Sequence, residues 1–210
     1  SIRFTGLNLA YIMLPVTTII IAIGEDFVRI LFQSGAFKEK AVWMTSQALI
    51  FYSLGLIFYS LNQTLTPVFY AYKDTKTPVK IAAVMVALNI VLNFVLMQFM
   101  AHRGLALATS ITACVNYFLL MSLIKKKMPQ ISFSGILINI AKTLLICIFL
   151  YFFLRGGCYL FPVSGRVPLL IRDALLSVFT LVLFYLIGML IKIDYITQAG
   201  KKLCHRFLKK

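Results

Sequence analysis

Side chains that carry acid–base chemistry are scarce in this chain. Only six of its 210 residues are Asp or Glu, and two are His. All six acids lie near the ends of apolar segments, and His102 and His205 are far apart. The HExxH, GxSxG and glycine-rich phosphate-loop motifs are missing. We therefore expect no catalytic residue, no metal site and no cofactor.

Cysteine is also sparse and shows no paired spacing. The four cysteines are widely separated along the chain, at Cys114, Cys147, Cys158 and Cys204. This distribution argues against a disulfide framework and against a metal cluster. We predict that the cysteines in the apolar segments are small packing residues.

Long apolar segments, in contrast, fill almost the whole sequence. Hydrophobic residues make up 61% of the chain, charged residues 13%, and the mean hydropathy is +0.93. A helix that crosses a bilayer needs about 20 consecutive apolar residues. Six segments meet this requirement: Leu7–Phe32, Ala41–Tyr70, Val79–Met100, Gly104–Ile124, Gly135–Leu154 and Pro168–Ile191. The sequence predicts an all-α, polytopic transmembrane bundle of about six helices, the first of them a spanning helix and not a signal peptide.

Basic residues concentrate on one predicted side of the membrane. Thirteen Lys and Arg residues fall on the side of both termini and seven on the other, with Lys142 inside a span. The positive-inside rule then places both termini in the cytoplasm. Residues 193–210 form a predicted basic amphipathic tail on the cytoplasmic surface. The net charge of +15 thus indicates anionic lipid headgroups and not nucleic acid as the partner.

The turn around Pro78 is the most distinctive local element. Asp74 and Thr77 with Pro78 predict a turn and a helix N-terminus. Lys73, Lys76 and Lys80 crowd this turn, and we expect them to contact lipid phosphates at the cytoplasmic interface.

Polar residues inside the spans have two alternative roles. Asn89 and Asn93 share a helical face, and Asn116 lies on one side of the fourth span with Thr109 and Thr112. Hydrogen bonding between helices is the favoured role, and binding of substrate in a hydrophilic pathway is the alternative.

Three other features of the spans predict helix packing or bending. Lys142 in the fifth span is expected to extend toward the interface, or alternatively to contact an anionic lipid head. Pro15 predicts a kink in the first helix, and Glu25 and Arg29 are spaced to form an ion pair. In the fourth span, small residues form two rows suited to close helix contact: Gly104, Ala108 and Thr112, and Ala106, Ser110 and Cys114.

Several motifs carry a family resemblance. Phe69–Lys80, FYAYKDTKTPVK, resembles the corresponding loop of the MurJ/MviN family of bacterial lipid II flippases. Leu31–Phe37, LFQSGAF, is similar to an LF-x-x-GAF element of that family. Asn89 and Asn93 followed by Gly104–Ser110, GLALATS, continue the match in order. The resemblance covers roughly Pro15–Lys127.

The resemblance implies a fold and a function. The family has two lobes of six helices and a terminal helix pair that forms a hydrophobic groove. By this alignment, residues 1–127 are the last four helices of the second lobe, and residues 128–192 are the groove pair for a polyprenyl tail. The family's cavity arginines have no counterpart here. The implied partners are membrane lipids, a polyprenyl-linked substrate and the upstream helices of a parent transporter in a bacterial inner membrane.

Two alternatives remain open. One is an exporter of another lipid-linked sugar or a drug on the same scaffold, and the other is a noncatalytic membrane scaffold module. Upstream sequence with about eight further spans would favour the flippase.

Overall fold

The computed structural model describes residues 2–35, 37–127, 134–163 and 165–190. These residues form six long helices: α1 (Ile2–Phe32), α2 (Glu39–Ala71), α3 (Lys76–Met100), α4 (His102–Lys127), α5 (Ser134–Leu160) and α6 (Arg166–Leu190). Each helix contains an apolar segment long enough to cross a membrane. The predicted all-α bundle is therefore confirmed over these residues, whereas the predicted tail at 193–210 lies outside them.

The helices extend further than the apolar segments that predicted them. The apolar segments end at Ile124 and Leu154, whereas α4 continues through Lys127 and α5 through Leu160. Helical backbone hydrogen bonds need not end where hydrocarbon ends, because a long charged side chain can extend from a helix to the interface. The longest helix, α2, has 33 residues.

Short connections force neighbouring helices to run in opposite directions. Residues 33–38 connect α1 to α2, and Ala101 alone separates α3 from α4. At this tight turn a Cβ on Gly104 would lie 2.3 Å from the backbone oxygen of Leu96. The backbones of α3 and α4 approach so closely here that position 104 has no room for a side chain. The connections at 33–38, 101 and 161–165 lie at one end of the bundle, called here the loop end, and the turn at 72–75 lies at the opposite end.

The first four helices pack mainly around α2 and α4. Gly55 of α2 lies against Ser110 of α4, whose hydroxyl donates a 2.6 Å hydrogen bond to the Phe51 carbonyl oxygen. Ala106, in the same row as Ser110, is completely buried. The other predicted row meets α3, because Thr112 accepts a hydrogen bond from Asn89. The two small rows thus allow α4 to contact two different helices.

The terminal helices α5 and α6 pack mainly on α1 and on each other. Their main contact is an apolar cluster that includes Tyr11 and Leu14 of α1, Ile146 and Leu150 of α5, and Phe184 of α6. α1 remains a single helix on both sides of the buried Pro15. It is the element that connects the four-helix block to the terminal pair.

Candidate functional site

A large apolar cavity lies where the terminal pair meets the four-helix block. Its volume is about 990 Å³, and residues of α1, α2, α4 and α5 line it. Leu14 and Ile57 contribute from α1 and α2, Phe118 from α4, and Leu144 and Ile148 from α5. No residue of α6 is part of this lining. This cavity is therefore formed by α5 with α1, α2 and α4.

The lining determines what this cavity can accept. Among the described residues of this lining none is charged, and the polar groups are the hydroxyls of Thr17, Thr18, Tyr117 and Tyr151 and the Cys147 thiol. A charged head group would lose its hydration here without gaining an ionic partner. Hydrocarbon suffers no such penalty, and the volume is in the range of sites for drug-sized ligands. The cavity is suited to an apolar chain.

A smaller cavity of about 440 Å³ lies toward the loop end. Residues of α1, α2 and α6 line it, among them Phe27, Leu49 and Leu170. Asp173 and Ser177 of α6 also face it. It is mostly apolar, with one ionic group at its edge.

That ionic group belongs to a polar clamp that we define as Asp26, Arg172 and Asp173. The Arg172 guanidinium donates to a carboxylate oxygen of Asp26 at 2.6 Å and lies 2.7 Å from Asp173 Oδ1. The Arg172 side chain is 11% exposed and that of Asp173 is 7% exposed. The clamp therefore joins α6 to α1 through a partly buried ion pair, in which the Asp26 side chain is 26% exposed.

Cys158 of α5 lies beside the clamp. Its sulfur and one oxygen each of Asp26 and Asp173 lie within 4.8 Å of one another. The positively charged guanidinium of Arg172 already pairs with both of these carboxylates. The three described cysteines, Cys114, Cys147 and Cys158, are free thiols.

Asn89 and Asn93 meet each other and α4. The Asn93 amide donates to the Asn89 side-chain oxygen at 2.9 Å, and the Asn89 amide donates to the Thr112 hydroxyl at 3.3 Å. Asn93 Oδ1 is buried without a hydrogen-bond partner. The arrangement joins α3 to α4, which is the geometry that the favoured packing role requires.

Asn116 and Lys142 lie apart from that pair. Both are half-buried, and neither lines the larger cavity. Lys142 lies between Ile140 and Leu144, which do line it. Two residues along a helix turn the side chain by about 200°, so Lys142 projects away from the cavity side. The structure thus does not bring the four intramembrane candidates into one site.

Lys73, Lys76 and Lys80 are all exposed at the turn between α2 and α3. The Asp74 carboxylate accepts hydrogen bonds from the Thr77 amide at 3.0 Å and from the Thr77 hydroxyl at 2.7 Å. The predicted capping by Asp74 is present, although the residue that precedes α3 is Thr75. The cap fixes the turn and leaves the lysine ammonium groups at its surface.

Arg29 and Arg103 each contact side chains near the loop end. Arg29 pairs with Glu25 at 3.2 Å, as the spacing predicted, and also with Glu39 of α2. The Arg103 guanidinium carbon lies 4.9 Å from the ring centre of Trp43. Both contacts fasten the ends of neighbouring helices.

The polar clamp was missed from the sequence. In the sequence, Asp26 and Asp173 are two of the six acids near the ends of apolar segments. Arg172 is one of the seven basic residues on the less basic side. A signal was available, because Asp26 and Arg172 lie at a similar distance, six and four residues, from the ends of two apolar spans that face the same side of the membrane. A buried charge at such a depth needs a partner of opposite sign.

Comparison with known proteins agrees with this architecture. The family model for lipid II flippase MurJ matches residues 2–163. A probable lipid II flippase MurJ of Rickettsia prowazekii is 37% identical over 134 residues, covering 64% of this chain and 26% of the relative. A relative of the same description from Buchnera aphidicola subsp. Schizaphis graminum is 38% identical over 120 residues, covering 57% of this chain and 23% of the relative. This chain therefore spans about a quarter of the length of these relatives.

A solved structure agrees as well. The structure described as lipid II flippase MurJ in an inward closed conformation superposes with a TM-score of 0.68 at 25% identity. The superposition covers 89% of this chain and 37% of that one. Because the family model matches most of the sequence, the chain belongs to the lipid II flippase MurJ family.

Proposed function

We propose that this chain is the C-terminal part of a lipid II flippase of a bacterial inner membrane, working by alternating access without covalent chemistry. The observation that carries the proposal is the superposition on the flippase structure. It covers 89% of this chain and only 37% of that protein. Alternating access requires two halves that move against each other. The chain alone would then lack one of them, and its partners are the upstream helices of the parent transporter.

The packing supports a division of labour within the chain. Residues 1–127 would complete the second lobe, since α1 to α4 pack around the α2–α4 contact. Residues 128–192 would form the terminal pair, since α5 and α6 attach mainly through α1. A pair attached through one helix can form a side wall without interrupting the lobe.

The larger cavity is the proposed site for the polyprenyl tail. Its volume of about 990 Å³ and its uncharged lining suit hydrocarbon. The pyrophosphate and sugar head would lie elsewhere in the parent transporter, because none of the described residues that line this cavity is charged. The terminal pair would therefore contribute to the tail site mainly through α5.

The remaining candidate residues have proposed roles around this site. Asn89, Asn93 and Asn116 would stabilise helix contacts in the lobe, with substrate contact as the alternative. Lys142 would extend its ammonium group toward the cytoplasmic headgroups. We further propose that the exposed Lys73, Lys76 and Lys80 contact lipid phosphates on the cytoplasmic side, where both termini would also lie.

Complementation tests the flippase proposal. Cells depleted of their own lipid II flippase would receive either the full-length parent gene or this chain alone, each with its membrane level measured. We expect rescue by the parent only. Rescue by this chain alone would refute the proposal that it needs the upstream helices. Failure of a well-expressed parent to rescue would refute lipid II as the substrate.

A matched pair of substitutions in the parent tests the tail site. Leu144 lines the cavity, whereas Leu145 is 68% exposed and does not. A tryptophan at position 144 would occupy space that the tail needs, so Leu144→Trp should lower lipid II transport about tenfold or more. Leu145→Trp should transport normally. Equal transport by the two variants at equal membrane levels would place the tail elsewhere.

A further inference from the structure

Arg172 joins three parts of the structure that are distant in sequence. Its guanidinium contacts Asp26 of α1, 146 residues away, and Asp173 of its own helix. It also donates a long, 3.5 Å hydrogen bond to the Phe161 carbonyl oxygen, just after α5. One side chain thus holds α1, α6 and the connection between α5 and α6.

The clamp lies inside both helices, and its three side chains are only 7% to 26% exposed. Asp26 is six residues before the end of α1, and Arg172 is six residues after the start of α6. At 1.5 Å per residue, both lie roughly 9 Å inward from their helix ends. In such surroundings an unpaired charge is strongly disfavoured, and each partner requires the other.

Much of the remaining contact between α1 and the terminal pair is apolar. Tyr11 and Leu14 of α1 pack against Ile146, Leu150 and Phe184 of the terminal pair. Lipid tails are about as apolar as these side chains, so a bilayer supplies little hydrophobic force to hold such helices together. Apolar packing alone therefore leaves the position of the pair weakly determined.

We propose that Arg172 is a positioning residue that docks the terminal pair on α1 and so fixes the α5 wall of the larger cavity. This proposal rests on the proposed function for its link to transport. α5 carries Leu144, Cys147, Ile148 and Tyr151 into the cavity lining. If α5 moves away from α1, these residues leave the wall and the cavity opens to lipid.

Crosslinking between α1 and α5 measures docking directly. Thr18 and Cys147 face each other across this contact and both line the cavity. In the full-length parent, Thr18→Cys would be combined with the native Cys147 while the other cysteines are changed to Ser. Oxidation by copper phenanthroline should then crosslink the two positions rapidly.

Substitutions at position 172 provide the comparison. Arg172→Gln leaves two carboxylates without their cation and should slow crosslinking about tenfold or more. Arg166→Gln removes the same charge from the exposed first residue of α6 and should leave the rate unchanged. Arg172→Lys keeps the charge but loses the planar guanidinium that contacts both carboxylates at once, so we expect an intermediate rate.

Rescue separates this role from a general loss of stability. Arg172→Asp together with Asp26→Arg restores opposite charges across α1 and α6 and should recover most of the crosslinking rate, whereas either change alone should not. Equal rates for Arg172→Gln and Arg166→Gln would overturn the proposal, as would a failure of Thr18→Cys to crosslink in the parent. If Arg172→Gln does not reach the membrane, the crosslinking rates of Arg172→Lys and of the double variant are compared with that of Arg166→Gln instead. A rate for Arg172→Lys equal to that of Arg166→Gln, with no recovery in the double variant, would then overturn the proposal.

Transport assays distinguish this proposal from the proposed function. In Arg172→Gln, both the crosslinking rate and lipid II transport should fall. In the double variant, both should recover. Normal crosslinking in a parent that moves no lipid II would refute the flippase and leave the docking role standing. Normal transport by undocked Arg172→Gln would refute the link between Arg172 and the cavity wall.

Discussion

Replacing Gly55 by alanine should force α2 and α4 apart. A Cβ at position 55 would lie 2.6 Å from Ser110 Oγ and 2.9 Å from Ser110 Cα. Because one of these atoms belongs to the backbone, a change of side-chain rotamer cannot remove the clash. The helices must separate, which also disturbs the hydrogen bond from Ser110 to the Phe51 carbonyl oxygen.

The expected cost follows from three contributions. Overpacking a tight contact costs about 1–3 kcal/mol. A hydrogen bond between helices in a membrane contributes about 0.6 kcal/mol on average. Replacing glycine by alanine within a helix returns up to about 1 kcal/mol. We therefore expect Gly55→Ala to lower the free energy of unfolding by about 1–3 kcal/mol.

Gly156→Ala is the matched control. Gly156 lies within α5, and a Cβ there would meet nothing within 4 Å. This variant should be neutral or up to about 1 kcal/mol more stable, because only the helix preference of alanine acts. Unfolding in detergent of the full-length parent, followed by circular dichroism, measures both variants.

Two outcomes would refute this reasoning. One is a Gly55→Ala variant as stable as Gly156→Ala, which would mean that α2 and α4 are not in close contact. The other is full recovery of stability by adding Ser110→Ala to Gly55→Ala. That double change removes the hydroxyl but leaves the Cα of residue 110 in place, so the clash should persist.

Two further predictions concern the α2–α3 turn and the topology. Asp74→Ala removes the acceptor of both Thr77 hydrogen bonds and should cost about 0.5–2 kcal/mol of stability in the same unfolding assay. Thr75→Ala should change little, because the Thr75 side chain makes no capping hydrogen bond; equal losses would contradict the role of Asp74. In intact cells Cys204 should resist an impermeant thiol reagent and react after permeabilisation, as the charge distribution predicts. Ready labelling of Cys204 in intact cells would reverse the predicted orientation.

Local patterns in the sequence predicted the elements of this fold. Each of the six spans appears as a long apolar segment, because hydrocarbon requires such length and composition. The Glu25–Arg29 ion pair and the capping by Asp74 also followed from spacing, since their partners lie within four residues. Local interactions of this kind depend little on the rest of the chain.

The ends of the helices were less predictable. Hydropathy ended the fourth span at Ile124, whereas α4 continues to Lys127. The positions that follow Ile124 are lysines, which a hydropathy pattern interprets as loop. Backbone hydrogen bonding tolerates them because a long side chain can extend from a helix into the interface.

The sequence predicted only in part which helices contact each other. The small residues of α4 predicted close contact, but not that Ser110 faces α2 while Thr112 faces α3. Asn89 and Asn93 share a face by spacing, yet the contact with Thr112 depends on the distance between two helices.

The sequence by itself determined that this chain forms six spanning helices with basic turns, and its motifs indicated the family. Only the tertiary structure decided that α5 and not α6 lines the larger cavity, and that Arg172 meets Asp26. The physical reason is that span formation depends on the transfer of each segment from water to lipid. Helix arrangement depends instead on a few polar and close-packed contacts between residues far apart in sequence.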